Sequence, residues 1–405
     1  MRIALVASVA VLGAIASCSS CKRAQRTSAA PDLVLPVHPT PVPPSAQFSP
    51  ARDVSTLAFP RGCTLVPPVL RARVEGEKVR FALSAGAPRD VAVAWMSRPD
   101  GGAPLFVHGI LRVDGQSAGR DLTWFETGGT PIFAAAEGRW SALVDAPGDS
   151  SLRQVILARE GAADERLAAG DQLRAVDLSC AGKVCAALTT RAGAVAGPGA
   201  TLFVGAADAP ANAWARTDIA ADQQGAHPIA IAGVDPATGE VSVVISAAQK
   251  AALFRVRAGS IRQDGSLDSH HGVMDATLVG GHLAAASLGN TVDERGCSPE
   301  GVGKVVVQVT GSAESVMDTP AAPRSAMMRP LSKGALLAWL SPVNCLHPDR
   351  WIVYAVLLDE AGRPVGGPMA VSDASGFSLA THDDEATLML DTPEGITRIA
   401  MRCGR

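Results

Sequence analysis

The sequence predicts an all-β body built from seven groups of short antiparallel strands, and three observations carry that prediction. Past Cys63, apolar or alternating runs of strand length recur every ~8–15 residues, separated by Gly, Asp, Pro and Ser, with almost no helical periodicity. Two distant segments share one pattern. VAVAWMS at 91–97 and ALLAWLS at 335–341 each end in Ala-Trp-x-Ser, and each is followed by a connection, a second apolar run and an Asp/Gly turn. Trp95 and Trp339 stand 244 positions apart, or five steps of about 49 residues, a period typical of repeating β architectures. The composition agrees: 40 Gly and 28 Pro supply turns, while aromatics at 4% leave the core to Ala, Val, Leu and Ile.

Taken in order, residues 77–126 form the first four-strand group and contain Trp95. Residues 130–170 form the second, with Trp140. The third spans 172–220, the fourth 227–267, the fifth 273–319 and the sixth 325–372. Residues 377–403 supply only three strands, so the fourth is expected from the N-terminal stretch 57–67. This pattern resembles a β-propeller: all-β, a single ring of seven four-stranded blades, closed by N- and C-terminal strands, over roughly residues 57–403. The resemblance is to the architecture and to no named family, because WD dipeptides, kelch double glycines and Asp boxes are missing. Two packed β domains and a β solenoid are the competing arrangements. The four spread-out tryptophans Trp95, Trp140, Trp214 and Trp339 read as packing between blades.

Of eight cysteines, six lie in the body: Cys63, Cys180, Cys185, Cys297, Cys345 and Cys403. An even number in an exported chain points to disulfides. On the propeller register, Cys63–Cys403 would lock the ring, Cys180–Cys185 would staple a hairpin, and Cys297–Cys345 would join equivalent loops of adjacent blades. Six cysteines still allow about 15 connectivities.

The N-terminus reads as an address. Met1-Arg2 is positive, and residues 3–14 are an uncharged apolar run, too short for the ~20 residues that span a bilayer. Ile15-Ala16-Ser17-Cys18 resembles the lipobox of bacterial lipoprotein precursors. The resemblance implies a signal peptide at 1–17, lipidation of Cys18 and anchoring in a bilayer. Ser19 in place of Asp implies the outer membrane, on its periplasmic or surface side. Residues 18–56 then hold the lipidated Cys and a Pro-rich tether with Pro31, Pro36, Pro39, Pro41, Pro43, Pro44 and Pro50. At ~3.1 Å per residue such a segment spans some tens of Å. Residues 57–405 are the propeller-like domain.

Little in the chain announces chemistry. The net charge of -3 and the absence of a basic block give no footprint for nucleic acid. No GxSxG elbow, P-loop, dinucleotide fingerprint or HExxH is present, and no cofactor or metal is expected. His270-His271 reads as a solvated loop and Asp383-Asp384-Glu385 as a hairpin turn. The expectation is a noncatalytic binding module whose partners are the bilayer, through Cys18, and an unknown protein or glycan. The alternatives are a propeller-type hydrolase or lyase acting on glycans, which needs acids clustered at the channel mouth, and a structural envelope component. The candidate binding rim is formed by loops 289–303 and 341–350, with Asp293, Glu294, Arg295, His347, Asp349 and Arg350.

Overall fold

A computed structural model describes residues 48–52, 55, 57–73, 78–83, 91–97, 105–112, 122–125, 132–136, 139–147, 152–191, 200–219, 227–247, 250–268, 272–289, 302–344 and 347–404. Among the described residues the first strands are β1 (Ser49–Pro50) and β2 (Cys63–Ala72). Six four-stranded sheets follow. Blade 1 holds β3 (Lys78–Leu83), β4 (Val91–Ser97), β5 (Leu105–Arg112) and β6 (Leu122–Phe125). Blade 2 holds β7 (Ile132–Ala136), β8 (Arg139–Pro147), β9 (Leu152–Arg159) and β10 (Glu165–Asp171). Blade 3 holds β11 (Leu173–Ala181), β12 (Val184–Arg191), β13 (Ala200–Ala206) and β14 (Ala215–Ile219). Blade 4 holds β15 (His227–Val234), β16 (Val241–Ala247), β17 (Lys250–Arg257) and β18 (Ser260–Asp268). Blade 5 holds β19 (Val273–Val279), β20 (His282–Leu288), β21 (Gly303–Val309) and β22 (Ser315–Thr319). Blade 6 holds β23 (Ser325–Pro330), β24 (Ala335–Asn344), β25 (His347–Leu358) and β26 (Met369–Asp373).

Blade 7 takes β27 (Gly376–His382), β28 (Glu385–Thr392) and β29 (Gly395–Cys403) from the C-terminus, then β2 and β1 from the N-terminus. Every pairing is antiparallel, and each joins consecutive strands except this closing one, where β2 lies beside β29. The first strand of each blade touches the first strand of the next, in the cycle β3–β7–β11–β15–β19–β23–β27 and back to β3. That cycle closes a ring around a central channel.

Position in the blade explains the sequence pattern of each strand. Second strands are covered on both faces by neighbouring blades, so they read as continuous apolar runs; β24 buries its first eight residues without a break. Alternate residues of β24 enter two different cores. Leu336, Ala338 and Leu340 pack with Leu388, Ile399 and Met401 of blade 7. Ala335, Leu337 and Trp339 pack with Val305, Val307 and Val309 of blade 5. The core is thus a series of apolar layers between blades, each with the period of two that a strand imposes. Outer strands meet water on one face. β22 alternates buried and exposed, and β18 is almost wholly exposed.

The second Ala-Trp-x-Ser copy, at 338–341, is a joint between blades. Trp339 is fully buried and stacks on Tyr354 with ring centroids 5.9 Å apart. Its Nε1 donates to Thr319 Oγ1 at 3.2 Å, and Ser341 Oγ donates to the Ala321 carbonyl at 2.7 Å. Both acceptors belong to the end of blade 5. Trp95 occupies the matching second strand, β4, of blade 1. Trp140 and Trp214 are buried as blade packing requires, and the side chain of Trp95 lies outside the described residues.

Three details differ from the sequence reading. The closing strand runs Cys63–Ala72 rather than 57–67, and its pairing with β29 skips from Val66 to Leu70. Pro67 and Pro68, which have no N–H to donate, occupy the gap. A fifth strand, Ser49–Pro50, pairs with Leu70 and Arg71 inside the stretch expected to be tether. Finally, 341–350 is not a loop: β24 and β25 extend through it, with Asn344 opposite His347.

Candidate functional site in the central channel

The inner strands β7, β11, β15, β19, β23 and β27 enclose a cavity of about 550 Å³. Its wall is mostly Ala, Ile, Leu and Met, interrupted by Asp177 on β11, Asp275 on β19 and Arg329 on β23. Both acids sit where their strand breaks register with the second strand of the blade. β11 shifts between Ala175 and Asp177, and β19 between Val273 and Asp275. A bulge leaves a residue unpaired and re-aims its side chain.

Each bulged acid reaches across to the next blade in the ring. Asp177 accepts the Ile231 N–H of blade 4 at 2.7 Å on one oxygen and the Leu178 N–H at 2.8 Å on the other. Asp275 accepts the Met328 N–H of blade 6 at 2.7 Å, and the same oxygen takes Arg329 Nη1 at 2.7 Å. Asp145, buried on β8, accepts the Ala175 N–H of blade 3 at 2.8 Å. Carboxylates therefore satisfy backbone donors on inner strands, each of which has a hydrogen-bonded neighbour on one side only.

The surroundings shift two of these groups. Burial pushes the Asp177 carboxyl above the usual carboxylate range, and the nearby charge of Asp275 pushes the same way. The Ile231 and Leu178 N–H groups and Arg329 offset only part of this. For Arg329, burial works against the charge, but Asp275 and Asp177 outweigh it and hold the guanidinium above its ordinary value. Arg329 is thus a permanent cation flanked by two acids, and among the described residues of the channel this leaves a surplus of one negative charge if both are ionised.

A second cavity of about 380 Å³ lies between blades 2 and 3. It is lined by Arg139, Arg159, Lys183 and Asp208 among others. Arg159 is spent on structure: it pairs with Glu165 and donates to the Ala209 carbonyl at 2.5 Å.

The expected site residues fall as follows. Cys63–Cys403 and Cys180–Cys185 are disulfides. Cys297, Cys345, Asp293, Glu294, Arg295 and the side chain of His347 lie outside the described residues, as do Cys18 and the tether to residue 47. Asp349 and Arg350 are exposed on β25 instead of in a loop, and Arg350 is bound by Asp373 of the adjoining strand at 2.7 Å. Asp383 and Asp384 form the β27–β28 turn as expected, with Asp383 at φ 53°. The sequence reading missed Asp177, Asp275 and Arg329. The available signal was an acid inside an apolar strand, as in Val176-Asp177-Leu178 and Met274-Asp275-Ala276. Among the described residues no cluster of three or more His, Cys, Asp or Glu can hold a metal ion, and no helix is long and apolar enough to cross a membrane.

The ring of first strands, the shared closing blade and the channel define a seven-bladed β-propeller. No family model and no curated protein matches the chain. Among solved structures, it is similar to a prolyl endopeptidase at 14% identity and TM-score 0.46, over 85% of this chain and 52% of that one. It is similar to the WD40 domain of Toxoplasma gondii coronin at 11% identity and TM-score 0.46, over 87% and 90% of the two chains. A Trypanosoma rangeli sialidase matches at 12% identity and TM-score 0.38, over 80% of this chain and 60% of that one. The chain thus spans about half the length of the endopeptidase it resembles.

Proposed function

We propose that the chain is an exported lipoprotein, held to a membrane through Cys18, whose propeller is a noncatalytic binding module carried on a Pro-rich spacer. One observation supports the binding role above others: the channel acids are engaged in construction. Asp177 accepts one backbone N–H on each oxygen, which fixes its carboxyl group in place, and Asp275 holds Met328 and Arg329. A glycan hydrolase or lyase needs carboxyl groups free to exchange protons with substrate. A scaffold that presents a fixed surface needs them where they are. Disulfides at Cys63–Cys403 and Cys180–Cys185 fit an oxidising compartment, in keeping with export. Ser19 after the acylated Cys favours the outer membrane.

Mass spectrometry of the mature protein tests the anchor. The expected product begins at Cys18 and carries a diacylglycerol thioether; a mature chain that starts elsewhere or has an unmodified Cys18 sinks the reading. Co-purification with the intact lipoprotein tests the binding role, with a reproducible protein or glycan partner as the expected result.

A further inference from the structure

We propose that the central channel is a binding site for a small zwitterion, an amino-acid-like molecule whose carboxylate sits on the open edge of Arg329 and whose ammonium group faces Asp177. This specifies a ligand class that the binding-module reading leaves open, and it holds whether or not Cys18 is lipidated.

Arg329 is fastened by one nitrogen. Nη1 donates to Asp275 Oδ2 at 2.7 Å and to the Met328 carbonyl at 2.9 Å. Among the described residues nothing bonds its Nε or Nη2, and a third of the side chain (33%) is exposed beside the channel it lines. The Nε–Nη2 edge of a guanidinium is a fork that matches the two oxygens of a carboxylate. Asp275 has already fixed that fork in place, so a ligand loses little extra side-chain freedom on binding.

The charge balance selects the rest of the ligand. A simple anion would meet Arg329 but be repelled by Asp177 and Asp275. A simple cation would meet the acids but be repelled by Arg329. A molecule carrying both signs satisfies each group in turn. The channel volume of about 550 Å³ suits a small molecule, and its apolar wall of Ile132, Ile229, Met327 and Leu379 with a few charged groups is the usual make-up of such a site.

Isothermal titration calorimetry on the full chain in detergent tests this. Glycine, β-alanine and γ-aminobutyrate serve as zwitterions of increasing span, with acetate and methylammonium as single-charge controls. One zwitterion is expected to saturate the protein at least tenfold more tightly than either control. Arg329→Lys keeps a positive charge beside Asp275 but removes the fork, and should weaken that binding at least tenfold while thermal melting shows an intact fold. Asp177→Asn should weaken the zwitterion and leave acetate no weaker than before. The proposal is overturned if no zwitterion saturates, if a control binds as tightly, or if both variants bind unchanged. Partner capture by the outer surfaces is scored separately, so either reading can fail while the other stands.

Discussion

Blade 7 and blade 3 are stapled alike at the level of geometry and differently at the level of the chain. Cys63 faces Cys403 across β2 and β29, and Cys180 faces Cys185 across β11 and β12; both are direct cross-strand partners with Cα atoms 4.0 and 4.1 Å apart. Yet the first bond joins residues separated by 340 positions and the second residues separated by 5. Blade 3 is made from one continuous stretch, and the turn at Gly182-Lys183 already brings its two cysteines face to face. Blade 7 exists only when both chain ends arrive together, and no local sequence preference can bring that about. Local blades hold themselves together, whereas the ring depends on one non-local seam.

The largest expected effect follows from that contrast. In the chain-entropy model, closing a loop of that length contributes about 6 kcal/mol and closing the short hairpin about 2 kcal/mol. Replacing Cys63 and Cys403 by Ser should therefore lower stability by several kcal/mol, with amide exchange accelerating first in β1, β2 and β29. Replacing Cys180 and Cys185 should cost about 2 kcal/mol or less, with the exchange change confined to blade 3. Chemical denaturation of the two double variants side by side decides it. Equal losses would show that the seam is held by its strand pairing and apolar packing instead.

The seam was legible in the sequence, and so was most of the ring. Continuous apolar runs such as ALLAWLS mark second strands because blades cover both of their faces, and a deficit of one strand after Phe377 pointed to the N-terminus for the fourth. Trp95 and Trp339 fall on equivalent second strands, β4 and β24, as the shared pattern predicted. The channel was not legible. Which face of an inner strand meets the channel depends on bulges at Asp177 and Asp275, and a bulge leaves no mark in composition or period. Residues 341–350 were expected to be a loop, yet pairing carries β24 past Pro342 as far as Asn344, and β25 starts opposite it at His347.

The second way to sharpen the comparison is to open a noncovalent joint near the channel. Asp275→Asn keeps an acceptor for the Met328 N–H but leaves Arg329 without its carboxylate. Removing one member of a fully buried pair costs roughly 3–5 kcal/mol. A third of Arg329 is exposed beside the channel, so solvent screening lowers the expectation to about 2 kcal/mol. That is smaller than the seam and comparable to the local staple. A loss exceeding that of the Cys63/Cys403 variant would mean that the ring is held chiefly from its centre.

The smallest effect is a slope rather than an offset. Burial, more than any neighbour, raises the Asp177 carboxyl above the usual range, so the folded chain binds that proton more tightly than the unfolded chain does. The stability that this proton contributes is fully present below the unfolded-state value, near ~3.9. It is lost as pH rises through the raised folded value, and above that the penalty is constant. Asp177→Asn has no such titration. The stability of the native chain relative to Asp177→Asn should therefore rise as pH falls through that window and stay flat above it, measured as the difference between denaturation midpoints at matched pH. A difference that falls on acidification would reverse the sign: the N–H groups of Ile231 and Leu178 and the charge of Arg329 would then outweigh burial. The inner wall of the ring would in that case be held by an ionised acid, and the negative surplus facing any channel ligand would persist to low pH.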